Sequence, residues 1–388
     1  MAELTNKRLL VVAGEASGDL AASQVLSALS EAGARPQVTA VGGASVLPHA
    51  ARSLADLRDF SAMGVAEVAP GARAVLAAFA RTSRVLRRHE IDAALLVGFS
   101  EFNSRLVPAL ARAGVPAVVY GAPQVWAWRA GRMKAFRALG DGGKLCVMLP
   151  FEEALWRNAG VDATYVGHPA ARALQALAHL PRSVIRGSLG LTPTASAVAI
   201  LPGSRNHEVR ALLEPMLAAY ERVRHHRASL DARVLLAPSL DAETAAFAIA
   251  ACRAARAPHV MVSPDTGAMP LLPAFDVALS ASGTASLEAA LAGTIPIVAY
   301  KVGVLTELAA RALVRVEHVA LPNIVLGRRV FAEHLQRDVE PKTLARSVHE
   351  ALERRDELRA ACDLVRARVG DKDAPREVAG FVRGALSR

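Results

Sequence analysis

The chain reads as an α/β protein of two Rossmann-like β/α/β domains, and three observations predict it. Short aliphatic runs recur along its 388 residues, each breaking into a loop of small residues before a helical pattern begins, as strands of a parallel sheet do. Residues 170–194 carry no clear strand and contain two prolines, and they divide two such β/α series. The length suffices for two full hydrophobic cores. The expected domains are 1–170 and 195–345, with 171–194 as a linker and 346–388 as amphipathic helices that pack back across the domains.

Composition narrows the class. Hydrophobic residues make up 52% and aromatics 4%, so the cores are aliphatic and rich in alanine. Cys146, Cys252 and Cys362 are far apart and odd in number, which fits a reducing compartment and gives neither a disulfide framework nor a metal spacing. The first residues run straight into a strand, without the pattern of a signal peptide. No apolar run reaches the roughly 18 residues of a spanning helix. A cytoplasmic protein, soluble or peripheral on a membrane, is therefore expected. The net charge of +10 asks for an anionic partner. Nucleic acid is disfavoured because the arginines are scattered and not interleaved with aromatics. Anionic lipid surfaces and phosphorylated substrates fit equally well.

In the first series, the strand at Arg8–Ala13 empties into Gly14-Glu15-Ala16-Ser17-Gly18-Asp19, a cradle-like turn that lacks the dinucleotide fingerprint. An ordinary tight turn with Asp19 as first-turn charge accounts for it too. Between 60 and 89 an apolar stretch with Phe60, Met63, Val75, Leu76 and Phe79 gives way to Arg81, Arg84, Arg87 and Arg88. Arg73, Arg81, Arg84 and Arg88 share one helical face, and Val75, Phe79 and Leu86 another. Such a helix either lies on an anionic membrane or packs its apolar side on a sheet. The strand Ala93–Val97 leads to Gly98-Phe99-Ser100-Glu101-Phe102-Asn103, where Glu101 and Asn103 lie beyond a strand's carboxyl end, the place for chemistry in such sheets. After Ala117–Tyr120 come Gln124, Trp126, Trp128 and Arg129, aromatic faces beside polar groups that suit a sugar, although buried tryptophans commonly just pack. His168 follows the strand Thr164–Val166 as a support residue.

The second series opens with Ala197–Leu201 and Pro202-Gly203-Ser204-Arg205, where an arginine at a helix start suits a phosphate. Its centre is Val277–Lys301. An apolar strand breaks at Ser280-Ala281-Ser282-Gly283-Thr284, an alanine-rich helix follows, and Ile295–Ala299 is the next strand. Small loop residues and the free N–H groups of the helix start favour an anion, and Glu288, about one turn in, is placed for a sugar hydroxyl. A plain Ser/Thr cap with a solvated Glu explains the same residues as well.

Taken together these pieces resemble the lipid-A-disaccharide synthase family. The matching motifs are Gly14–Asp19, Met63-Gly64 with Glu67-Val68, Phe102-Asn103, Val125–Arg129, Leu149–Glu152, Gly167–Pro169, Pro202–Arg205, Ser282–Leu291 and Leu321–Asn323, in the family's order and over most of the chain. The resemblance implies a GT-B enzyme whose two domains face a cleft, and an inverting transfer from UDP-2,3-diacylglucosamine to 2,3-diacylglucosamine 1-phosphate. It implies no cofactor and no metal, and work at the cytoplasmic face of the inner membrane. Arg205, Ser282, Gly283, Thr284, Glu288 and Asn323 would then hold UDP. Glu15, Ser17, Gln124, Trp126, Trp128, Arg129 and His168 would shape the acceptor side. Met63, Val75, Leu76, Phe79, Arg81, Arg84 and Arg88 would meet the membrane.

One departure bears on catalysis. The family's loop after the fourth strand usually carries an Asp, the favoured base, where this chain has Gly98, and a second Asp where it has Glu101. Glycine cannot accept a proton, so Glu101 is the expected base, with Asn103 beside it. Two other readings stay open: a UDP-N-acetylglucosamine 2-epimerase-like enzyme of the same fold, and a homologue that binds substrates with impaired catalysis.

Overall fold

Apart from Arg8 at its start, the run Arg8–Ala13 is wholly apolar, and such a run can be stable only where both faces are covered. In the computed structural model, which describes residues 4–60, 68–126, 130–177, 180–264, 266–301 and 317–388, it is the buried central strand of a parallel sheet. That sheet belongs to a first unit, Met1–Pro169 with Lys372–Arg388; the second unit is Ala170–Asp371.

The first sheet has seven strands, β1 (Arg8–Ala13), β2 (Gln37–Gly42), β3 (Arg52–Asp56), β4 (Ala93–Val97), β5 (Ala117–Tyr120), β6 (Lys144–Val147) and β7 (Ala163–Tyr165), in the order β3-β2-β1-β4-β5-β6-β7. Alternate residues serve two helical layers. Leu10, Val12, Leu96 and Val119 join Leu106, Leu110 and Trp156 on one face. Leu9, Val11, Leu95 and Val118 join Val25 and Leu29 of the helix Ala16–Glu31 and Val378 and Val382 of the helix Ala374–Leu386 on the other. The end of the chain is thus part of the first unit's core. Val378, Val382 and Leu386 are fully buried and contribute roughly 2 kcal/mol each. The exposed pairs of Arg376 with Glu31 and Asp373 contribute at most about 1 kcal/mol each, so packing fixes this helix.

The second sheet has six strands, β8 (Ala197–Leu201), β9 (Asp231–Leu236), β10 (His259–Met261), β11 (Val277–Ala281), β12 (Ile295–Tyr300) and β13 (Glu333–Leu335), all parallel, in the order β10-β9-β8-β11-β12-β13. In each sheet the chain leaves the central strand to one side and returns to its other side. The carboxyl ends of β1 and β4, and of β8 and β11, are therefore topological switch points. Register places the outgoing loops side by side, with Ala13 opposite Val97 and Leu201 opposite Ser280.

Residues 171–194 are not a linker. They hold the helix Arg182–Ser188 and most of the helix Pro169–Leu177, and they belong to the second unit. Long-range bonds that no local pattern announces fasten them: buried Arg186 donates to the Ala274 carbonyl at 2.8 Å and Arg182 donates to Asp276 at 2.9 Å, while a nearer bond from Arg186 to the Ala195 carbonyl at 2.6 Å adds to these. The expected C-terminal helices likewise divide. Pro341–Glu353 and Arg355–Val369 lie in the second unit and Ala374–Leu386 in the first.

The expected membrane-facing set also divides. The helix Val68–Arg87 forms, but Val75 and Phe79 pack against the first unit's core, and the Phe79 ring meets Phe102 edge-on at 5.3 Å. Core and lipid ask for the same apolar periodicity, and here the sheet takes that face. Leu76 is 61% exposed and Arg81, Arg84 and Arg88 are exposed, while Met63 lies outside the described residues. No described helix is long and apolar enough to cross a membrane.

Asp276, one residue before β11, draws three elements together. Its carboxylate accepts from Arg182, from Arg359 at 2.8 Å and from the Ala197 N–H at 2.9 Å. Burial alone would push this carboxyl up, but the bonds from Arg182 and Ala197 and the nearby arginine charges outweigh it and hold it below its ordinary range. Asp276→Ala is expected to destabilise the second unit by about 2 kcal/mol at neutral pH, because arginines 31–44% exposed keep part of their hydration. A carboxyl lowered in the fold stabilises above its unfolded value of about 3.9 and loses that contribution as pH falls through the folded one. The urea midpoints of wild type and variant should therefore differ at neutral pH and draw together in acid; a constant gap would overturn this account.

Candidate active site

At the first switch point the two loops interlock. The space that a Cβ on Gly14 would fill is taken by the ring of Phe99, so only glycine fits there. Gly98 and Phe99 both adopt left-handed backbone, with φ of 60° and 50°, before the helix Ser100–Arg112 begins. Asn103, expected to take part in chemistry, is fully buried, and its amide donates to the Gly98 carbonyl. It holds the turn through that bond, while its buried Oδ1 has no partner among the described residues. Glu101 is exposed in the first turn of that helix and pairs with Arg132, whose own side chain is only 14% exposed.

Glu15 and Ser17 are exposed at the start of the helix Ala16–Glu31. Asp19 is not a solvated first-turn charge. It is buried and accepts from the N–H groups of Gly43, Ser45 and Val46 at 2.6, 2.7 and 3.3 Å, so it ties the turn after β2 to the turn after β1. The Gly42-Gly43 pair was the available signal: a Cβ on Gly43 would press on the Asp19 carboxylate at 2.9 Å.

After β5, Gln124 is exposed and Trp126 is half-buried, while Trp128 and Arg129 lie outside the described residues. The Trp126 indole N–H donates to Glu152 at 3.0 Å, and its ring meets Phe151 edge-on at 5.4 Å. Glu152 was missed as a site residue although it closes the Leu149–Glu152 motif. It caps the helix Pro150–Asn158 by accepting from the Leu149 N–H at 3.0 Å. A cap contributes about 1 kcal/mol, whereas a buried, unpaired carboxylate costs several. Burial pushes its pKa up to about 7 against the bonds from Trp126 and Leu149. His168 is buried and pushed down to about 4 by desolvation, so it supports the fold from inside and is not a surface contact.

At the second switch point, Arg205 stands at the start of the helix Asn206–His226 with its side chain 71% exposed. Glu208, also missed, holds it there. One oxygen accepts from the guanidinium at 2.8 Å, and the other accepts from the Ser204 and Arg205 N–H groups at 3.1 and 3.3 Å. The Ser282 hydroxyl donates to the Val319 carbonyl at 3.1 Å, which anchors the loop. Gly283, with φ of 138°, turns the chain into the helix Thr284–Leu291, where Thr284 is exposed. Glu288 is half-buried and has no partner among the described residues, and burial pushes its carboxyl up.

Asn323, expected at UDP, is spent on the fold. Fully buried, it donates to the Phe331 carbonyl and to Glu333 at 2.9 and 2.8 Å and accepts from the Val330 and Phe331 N–H groups, both at 2.9 Å. All four of its hydrogen-bonding positions are filled. Glu333 also accepts from the Val319 and Ala320 N–H groups at 3.2 and 3.0 Å.

The structure thus brings Arg205, Ser282, Gly283 and Thr284 to one switch point, and Glu15, Ser17 and Glu101 to the other. A family model described as lipid-A-disaccharide synthetase matches residues 9–374. A lipid-A-disaccharide synthase of Anaeromyxobacter dehalogenans (strain 2CP-C) is 38% identical over 384 residues, 98% of this chain and 97% of the relative. Among solved structures, a UDP-GlcNAc 2-epimerase from Neisseria meningitidis bound to UDP-GlcNAc matches with a TM-score of 0.60 at 11% identity, over 97% of this chain and 100% of that one. MurG of Acinetobacter baumannii matches with a TM-score of 0.59 at 16% identity, over 98% and 99%. At such identities the structural likeness is one of fold, while the sequence match carries the function. The chain belongs to the lipid-A-disaccharide synthase family, glycosyltransferases of the GT-B fold.

Proposed function

We propose that the chain transfers 2,3-diacylglucosamine from UDP-2,3-diacylglucosamine to 2,3-diacylglucosamine 1-phosphate with inversion, giving the β(1→6) lipid A disaccharide 1-phosphate and UDP. The observation that carries this reading is the family match over residues 9–374, which takes in both switch-point loop sets. In the second unit, the start of the helix Thr284–Leu291 and Arg205 meet the diphosphate, where free N–H groups and a guanidinium offset the charge that grows as UDP leaves. With that charge met by protein groups, no metal is required. Glu288, unpartnered, accepts from a ribose hydroxyl. In the first unit, Glu15, Ser17, Gln124 and Trp126 shape the acceptor side.

The acceptor 6-hydroxyl oxygen bonds to the anomeric carbon while the carbon–oxygen bond to UDP breaks and UDP keeps the electron pair. The hydroxyl proton goes to Glu101, a carboxylate at a helix start held in place by Arg132. The acylated substrates call for work at a membrane surface, the cytoplasmic face of the inner membrane. The exposed Leu76, Arg81, Arg84 and Arg88 supply an apolar and basic contact there.

Glu101→Gln should lower disaccharide formation at least ~100-fold with UDP binding intact. Equal activity in the two proteins would send the search for the base to Glu15, and wild type releasing no UDP from the two acylated substrates would overturn the reaction itself. Glu288→Ala should raise the donor KM about tenfold with little change in kcat, read from initial rates at fixed acceptor. Neutralising Arg81, Arg84 and Arg88 together should weaken sedimentation with anionic vesicles by roughly 100-fold, at about 1 kcal/mol per charge. Unchanged sedimentation would place the membrane contact elsewhere.

A further inference from the structure

Glu152 is 3% exposed; its Oε1 accepts from the Trp126 indole and its Oε2 from the Leu149 N–H, both at 3.0 Å, and the Met148 N–H also faces the carboxylate. No lysine, arginine or histidine pairs with it among the described residues. A helix cap needs one oxygen of a carboxylate that stays in water, and burying the group costs more than the cap returns. The second bond reaches 26 residues back to the segment after β5, and the Phe151 ring braces the same indole. Geometry therefore points to Trp126 as the reason for the burial.

We propose that Glu152 is a positioning residue whose carboxylate clamps the Trp126 indole on the acceptor side, and whose protonation releases that clamp. This rests on the acceptor-side reading of Trp126. Protonation removes the charge that strengthens both bonds, and a neutral carboxyl accepts from an N–H only about half as strongly. The Leu149 bond is local to one helix start, whereas the bond to Trp126 joins two segments, so its weakening is the one that frees the indole. The carboxyl, pushed up by burial to about 7, changes state near neutrality. Its neighbourhood leaves it the group that switches there. The Tyr165 phenol, from β7, is pushed up by burial and by the Glu152 charge. Lys372 is engaged with the Tyr165 carbonyl at 2.8 Å and lies over its ring. Glu153, next along the helix, pairs with Arg157. His168 is held neutral by burial.

The test follows the Trp126 indole N–H resonance, assigned with Trp126→Phe, in the full chain from pH 5.5 to 8.5. It should titrate with a midpoint of about 7 in wild type and stay flat in Glu152→Gln. In parallel, the acceptor KM should rise about tenfold as pH falls through that midpoint while the donor KM holds, the effect of losing one charged hydrogen bond. Trp126→Phe should show the raised KM at every pH. An indole resonance that does not titrate overturns the clamp. A titrating indole with an acceptor KM that ignores it overturns the positioning role. The resonance needs no turnover, so an inactive wild type with a titrating indole would sink the transferase reading and leave the clamp standing.

Discussion

A loop that turns away from the end of a buried strand leaves backbone N–H groups with no ladder partner, and so close to the core each must find an acceptor. In this chain buried or mostly buried carboxylates are that acceptor again and again. Asp19 takes three N–H groups of the turn after β2, Glu208 takes two at the start of the helix after β8, and Glu333 takes two before the helix Leu321–Leu326. Asp276 takes the Ala197 N–H and two arginines, and Glu152 takes Leu149 and the Trp126 indole. Charge-assisted bonds to backbone are strong, and they fix loops made of residues too small to pack themselves. Two of the side chains the loops then present, Arg205 and Trp126, are set directly by such acids.

This explains which parts of the chain were legible in its sequence. The aliphatic strands were, because a run such as Ala93–Val97 or Val277–Ala281 has one stable place, inside a covered parallel sheet, whereas the polar Arg52–Asp56 was not. The turns were legible for a related reason, since Gly14 and Gly283 stand where backbone or a ring must come close or φ must be positive. Partners were not. An asparagine that reads UDP and one that pins two peptide groups seven and eight residues away have the same letter, and Asn323 proved to be the second kind. Residues 171–194 looked like a linker because Arg182 and Arg186 find their acceptors 94 and 88 residues later. Val75 and Phe79 show the limit of periodicity, which gives an apolar face without saying whether sheet or lipid will cover it.

Gly98 shows the same logic at the chemistry. Its φ of 60° is free for glycine and costs another residue roughly 1–2 kcal/mol, least for Asn and Asp. No atom lies within 4 Å of where its Cβ would stand, so packing does not forbid a side chain there. The turn itself depends on the Asn103 amide at the Gly98 carbonyl, a bond indifferent to what residue 98 carries. A carboxylate at 98 is therefore dispensable to the fold. Glu101 keeps a carboxylate three residues on, where the helix start favours negative charge and a mostly buried Arg132 fixes its direction. The turn tolerates a carboxylate at more than one position because it is built by Asn103 and Phe99, and not by a carboxylate.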